Sequence, residues 1–91
     1  MQLSFKKTRS RRPHPPATLV ELHEGEHGVV DRLDLPEDIT GRLMELGFLP
    51  GSRVTAARSA PGGDPRVFRV DGSEVALRRE TAAHVRLRTH H

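Results

Sequence analysis

Cysteine, tryptophan and tyrosine are all absent, and phenylalanine occurs three times in 91 residues. Without cysteine there is no disulfide and no thiolate metal site. No apolar run approaches the roughly 20 residues that a membrane-spanning helix needs, and the N-terminus lacks the apolar core of a secretory signal. These absences predict a soluble, non-exported protein, and the cysteine count fits the cytoplasm. A chain of this length supports one domain with one modest core, burying about 60–65% of the surface that the unfolded chain exposes.

What is present is unevenly placed. The formal net charge is +3, but residues 1–16, "MQLSFKKTRSRRPHPP", hold Lys6, Lys7, Arg9, Arg11 and Arg12 and no acid. The rest carries ten basic against twelve acidic residues, a formal −2. Whole-domain attraction to nucleic acid is therefore not expected. The basic tail, closed by Pro13-His14-Pro15-Pro16, favours extended backbone and predicts a disordered arm over 1–16. Three roles suit it: an inert solvated arm, which is preferred, contact with anionic lipid, or non-specific phosphate binding. No aromatics are interleaved for base stacking.

From residue 28 the elements are short. Residues 28–33, "GVVDRL", read as a strand. Residues 36–46 read as the one α-helix: Pro36 suits its first position, Glu37 and Asp38 complement its dipole, and Ile39, Leu43 and Leu46 form an apolar stripe at i, i+4 and i+7. Gly47 supplies a left-handed stop, and Pro50-Gly51 a type II turn. Residues 52–58 read as a second strand and "APGGDP" (60–65) as a loop, with the Asp64 side chain ordering the turn. Asp71-Gly72 between 66–70 and 73–77 is a two-residue hairpin signal. It pairs Val70 with Ser73, Phe68 with Val75 and Arg66 with Leu77, placing Phe68, Val70, Val75 and Leu77 on one face. A turn at 80–82 leads to a last strand, 84–88, with Val85 and Leu87 inward. Short strands with one short helix predict a mainly β domain of about five strands, closed into a barrel to protect its edges.

Several stretches carry possible chemistry. "HEGEH", His23 to His27, reads literally as the H-E-x-x-H of zinc hydrolases, which need both histidines on one face of a stable helix. Thr18 and Glu21 offer a capping box for such a helix. Gly25 and Gly28 oppose it, each costing about 1 kcal/mol inside a helix. Without catalysis, His23 and His27 are the candidate ligands for weak binding of zinc or ferrous iron. Yet no spacing completes a four-ligand site, so solvated histidines are preferred and no cofactor is expected. Arg78-Arg79 reads as a solvated edge, one of the pair reaching Glu80 or Glu45. "APGGDP" is no phosphate loop, since no Gly-Lys-Ser/Thr follows. In Leu46-Gly47-Phe48-Leu49-Pro50-Gly51, helix stop and turn explain the glycines and the proline. Two consecutive apolar residues rarely point the same way, so one of Phe48 and Leu49 is expected at the surface, making 46–51 the candidate partner-docking stretch.

"GEHGVV", "RLMELGFLPGS", "APGGDP" and "VDGSEVALRRETAAHV" together resemble, in order and spacing, the ferrous iron transport protein A family over roughly residues 18–88. The resemblance implies an SH3-like barrel over 17–89, with "HEGEH" a loop entering a strand. It implies a non-enzymatic, cytoplasmic accessory or regulatory protein of bacterial ferrous iron uptake. The implied partner is the membrane ferrous iron permease with a GTP-binding cytoplasmic domain, ferrous iron transport protein B, which would hold it at the inner face of the membrane. The same barrel occurs in metal-dependent repressors, so a metal-binding SH3-like module is the alternative, and a zinc hydrolase the remote one. Residues 1–16 depart from the family pattern, and no specific nucleic acid is implied.

Overall fold

The computed structural model describes residues 15–89. The expectation of a disordered arm falls on 1–16, nearly all of it outside the described residues. A single turn of 3-10 helix, Leu19–Glu21, precedes five strands: β1 (His27–Leu33), β2 (Arg53–Ser59), β3 (Arg66–Val70), β4 (Ser73–Leu77) and β5 (Val85–Leu87). Helix α1 (Glu37–Glu45) lies between β1 and β2, and a four-residue helix α2 (Arg79–Ala82) stands where a turn was expected before β5.

The strands form one antiparallel sheet in the order β4-β3-β2-β1-β5. Strand β1 changes partner along its length: His27 to Val29 pair with β2, whereas Val30 to Leu33 pair with β5 across a register shift. Such an irregularity bends a strand and lets one sheet wrap around a core. The β3–β4 hairpin has the register expected, including Phe68 opposite Val75 and Arg66 opposite Leu77. Asp71 and Gly72 both have positive φ, 52° and 78°, as a two-residue hairpin turn matched to strand twist requires.

Closure of the barrel is not complete. Among the described residues no pairing joins β4 to β5. The outer edge of β5 is covered instead by the chain just before the 3-10 turn: Thr18 bridges Arg86, and the Leu87 N–H donates to the Ala17 carbonyl at 2.8 Å. Among the described residues no segment pairs with the outer edge of β4.

The core gathers Leu19, Leu22, Val30, Leu43, Phe48, Val54, Phe68, Val70, Leu77, Val85 and Leu87, with Ala82 from α2, so the 3-10 turn, both α-helices and all five strands contribute. Burial of each such side chain is worth about 1.5–3 kcal/mol. The Ile39–Leu43–Leu46 stripe does not behave as its period suggested. Leu43 is buried, while Ile39 and Leu46 are 39% and 44% exposed. Helix α1 meets the core through one side chain, and its flanking apolar residues face outward.

Candidate functional site

The surface around residues 46–51 is built by the end of α1. Gly47, at φ 111°, closes the helix: its N–H donates to Met44 O at 3.0 Å, and the Phe48 N–H to Leu43 O at 3.1 Å. These two bonds satisfy carbonyls that the helix end would otherwise leave unpaired. Leu49 to Ser52 then form the expected turn, with Ser52 N–H on Leu49 O at 2.9 Å and Gly51 at φ 92°. The turn is pinned to β1 on both sides, by Gly51 N–H to Val30 O at 2.8 Å and by Val30 N–H to Ser52 O at 2.9 Å.

Only part of the stretch can meet a partner. Phe48 is fully buried in the core and Gly47 is buried beside the Asp71 side chain, so neither offers an exposed side chain to a partner. Leu46, Leu49, Pro50 and Gly51 are exposed, Leu49 by 46%. Beside Leu49 lies a shallow hollow lined by Gly47, Ser52, Arg53 and Asp71. The result is a rigid turn presenting isolated apolar side chains over a packed base.

"HEGEH" is not helical. The 3-10 turn ends at Glu21, Gly25 has φ 89°, and His27 opens β1. His23 lies in the connecting turn, where its N–H donates to Glu26 Oε1 at 2.7 Å and its Nδ1 stands 3.9 Å from that oxygen. His27 begins the strand opposite Thr55. The helix that a zinc hydrolase requires is missing here. Among the described residues no three His, Asp or Glu side chains gather as a metal site. The capping box expected of Thr18 and Glu21 does not form: the Thr18 side chain caps no backbone N–H, and Glu21 instead accepts from the Ala17 N–H at 2.9 Å and from the Thr18 hydroxyl at 3.4 Å.

Other expectations move. Asp64 orders α2 rather than its own loop, accepting the Arg79 N–H at 3.0 Å. Among the described residues neither Arg78 nor Arg79 forms an ion pair with Glu80 or Glu45. Two features lay outside the sequence reading. Asp34 bridges Arg86 (2.9 Å) and Arg32 (3.1 Å), tying the end of β1 to β5. The hydrogen bond from Arg86, then that from Arg32, holds its carboxyl below the ordinary value. Arg66 is buried; the period-2 alternation of β3, which puts it on the face of Phe68 and Val70, was the available signal.

The FeoA domain model matches residues 17–89. A Fe(2+) transport protein A/Fe(2+) transporter FeoB fusion protein of Porphyromonas gingivalis is 37% identical over 67 residues; these cover 74% of this chain but only 8% of that protein. The solution structure of a FeoA protein from Chlorobium tepidum aligns with TM-score 0.75 at 29% identity, covering 79% of this chain and 69% of that one. A zinc-complexed FeoA from Stenotrophomonas maltophilia, described as a procaryotic SH3 domain protein, aligns with TM-score 0.70 at 35% identity, covering 80% and 91%. The fold is SH3-like.

Proposed function

Because this chain belongs to the FeoA domain family, we propose that it is an accessory protein of ferrous iron uptake. It acts by binding rather than by catalysis, at the inner face of the membrane. Its partner is the ferrous iron transporter, contacted on the cytoplasmic, GTP-binding part.

The observation that carries this reading is the P. gingivalis relative, in which transport protein A and the transporter FeoB form one fusion protein. Covalent linkage turns association into an intramolecular event at an effective concentration in the mM range for short flexible linkers. Such a fusion works where the two parts act within reach of each other. The exposed Leu46, Leu49, Pro50 and Gly51 support this stretch as the contact, since apolar side chains on a rigid turn lose little freedom on docking. A small domain shifts a gating or nucleotide cycle only by binding one state of its partner better than another. His23 and His27 act as surface imidazoles in this reading, with no resident cofactor.

The test is titration of the transporter's purified cytoplasmic domain with the full chain. Combined Leu46→Ala and Leu49→Ala substitution is expected to weaken binding at least tenfold while the melting temperature holds. Unchanged affinity would reject the surface. Absence of binding by the unsubstituted chain would reject the function.

A further inference from the structure

The outer edge of β4, which no described residue pairs with, adjoins a groove that the docking stretch does not include. In a two-residue hairpin the residues flanking the turn form a hydrogen-bonded pair, and bonded pairs then alternate along the strands. With Val70 opposite Ser73, the bonded β4 residues are Ser73, Val75 and Leu77. The N–H and C=O groups of Glu74 and Ala76 therefore point away from β3. Among the described residues no sixth strand lies beyond them, and no backbone hydrogen bond outside the sheet reaches either residue. Both are exposed.

Alongside Ala76 runs a groove of about 380 Å³ between β4 and α1, with Ile39, Leu43 and Leu77 on its apolar walls and Arg42, Arg78 and Asp38 contributing charge. Among the described residues neither arginine has an ion pair. Two cations against one carboxylate leave the groove positive.

We propose that this groove takes an extended peptide segment of another protein, acidic residues flanking an apolar one, as an added strand on β4. Unpaired backbone groups at a sheet edge supply register-specific hydrogen bonds, and alternate side chains of the added strand reach the adjoining pocket. Ile39, exposed because α1 turns only Leu43 fully inward, gives an apolar side chain its contact. Arg42 and Arg78 select acidic neighbours, since guanidinium–carboxylate hydrogen bonds are charge-assisted. The same charges disfavour residues 1–16 as the occupant, because that segment is itself basic. The inference does not rest on the transporter reading: Leu46 and Leu49 are not among the residues lining this groove.

The experiment is selection of a random nine-residue peptide library against the full chain, followed by titration of the enriched peptides with amide NMR detection. Enrichment of acidic–apolar sequences without central proline is expected, with the largest amide shifts at Glu74 and Ala76. Arg42→Glu with Arg78→Glu should reduce affinity at least about tenfold, the change that one lost hydrogen bond to a charged group brings. Ala76→Pro, which removes an outward N–H at an edge where proline is tolerated, should do the same. Leu49→Ala should leave this binding intact. The proposal is overturned by no enrichment, by neutral or basic consensus peptides, or by peptides whose affinity survives the double charge reversal. It is equally overturned if sedimentation shows a dimer that Ala76→Pro dissociates, since a second copy then occupies the edge. Should Ala76→Pro not fold, the charge reversal and the two amide shifts decide.

Discussion

The guanidinium of Arg66 donates from Nη2 to the carbonyl of Leu22 at 2.7 Å, joining β3 to the segment that leads into β1. Nη1 donates to Val20 O at 3.1 Å, and the carbon of the guanidinium sits 5.5 Å from the Phe68 ring centroid. The side chain is buried with no carboxylate bonded to it, and its Nε has no partner among the described residues. Two main-chain carbonyls and an aromatic face take the place of water around the cation. Arg66→Met removes both bonds and strands two carbonyls, so urea unfolding should show a loss of about 2–4 kcal/mol. Arg66→Lys, which cannot reproduce the two-pronged geometry, should fall between. A loss within experimental error for Arg66→Met would mean that water replaces the guanidinium at those carbonyls.

Neighbouring residues at the helix stop should respond in opposite ways. Phe48→Ala empties a fully buried site and should cost about 3–5 kcal/mol. Leu49→Ala removes a half-exposed side chain and should change stability by no more than about 0.5 kcal/mol. Thermal melts of the two variants side by side check this, and equal losses would contradict the inward–outward assignment.

Two glycines of one helix region should also diverge. At Gly47, φ 111° is unfavourable for any side chain, and an added Cβ would lie 3.1 Å from the Asp71 Cβ. Gly47→Ala should destabilise by about 2 kcal/mol. Gly41 lies inside α1 with open space around the position of its missing Cβ. Gly41→Ala should stabilise by about 0.5–1 kcal/mol, through helix propensity and a less disordered unfolded chain. Chemical denaturation resolves both signs.

Asp34 makes the β1–β5 junction acid-sensitive. Its hydrogen bonds from Arg86 and Arg32 lower the carboxyl below its ordinary value of 3.8. A carboxylate lowered in the folded state contributes stability above its unfolded value and loses it as pH falls through the folded one. The difference in melting temperature between the native chain and Asp34→Asn should therefore be full near about pH 6 and shrink below about pH 4. A difference that stayed constant across that range would remove Asp34 from the acid response.

Local signals in this chain were legible where neighbouring residues alone decide the outcome. Asp71-Gly72 specifies a turn with two positive φ values, and that turn sets the register of β3 against β4 without help from the rest of the fold. Gly47 and Pro50-Gly51 likewise end α1 and reverse the chain as read. Gly25 breaks "HEGEH" as expected, leaving His23 in the connecting turn and His27 at the start of β1.

Where the outcome depends on what approaches from elsewhere, the pattern was insufficient. The stripe Ile39–Leu43–Leu46 has a helical period, but period does not say how wide a face the core covers; here the core covers Leu43. The alternation of β3 puts Arg66 on the face of Phe68 and Val70, but what satisfies its charge there, the Val20 and Leu22 carbonyls, lies 44 residues or more away in sequence. Sheet closure depends on which segment reaches each edge, and Ala17 and Thr18 reach β5 while no described segment pairs with β4. Sequence by itself determined the turns, the register of the β3–β4 hairpin and the family, because each rests on short-range backbone geometry or on residue order. Only the tertiary structure decided which apolar side chains remain at the surface and which sheet edge is free. Exposure is a property of the space between elements, and no stretch of chain carries that information alone.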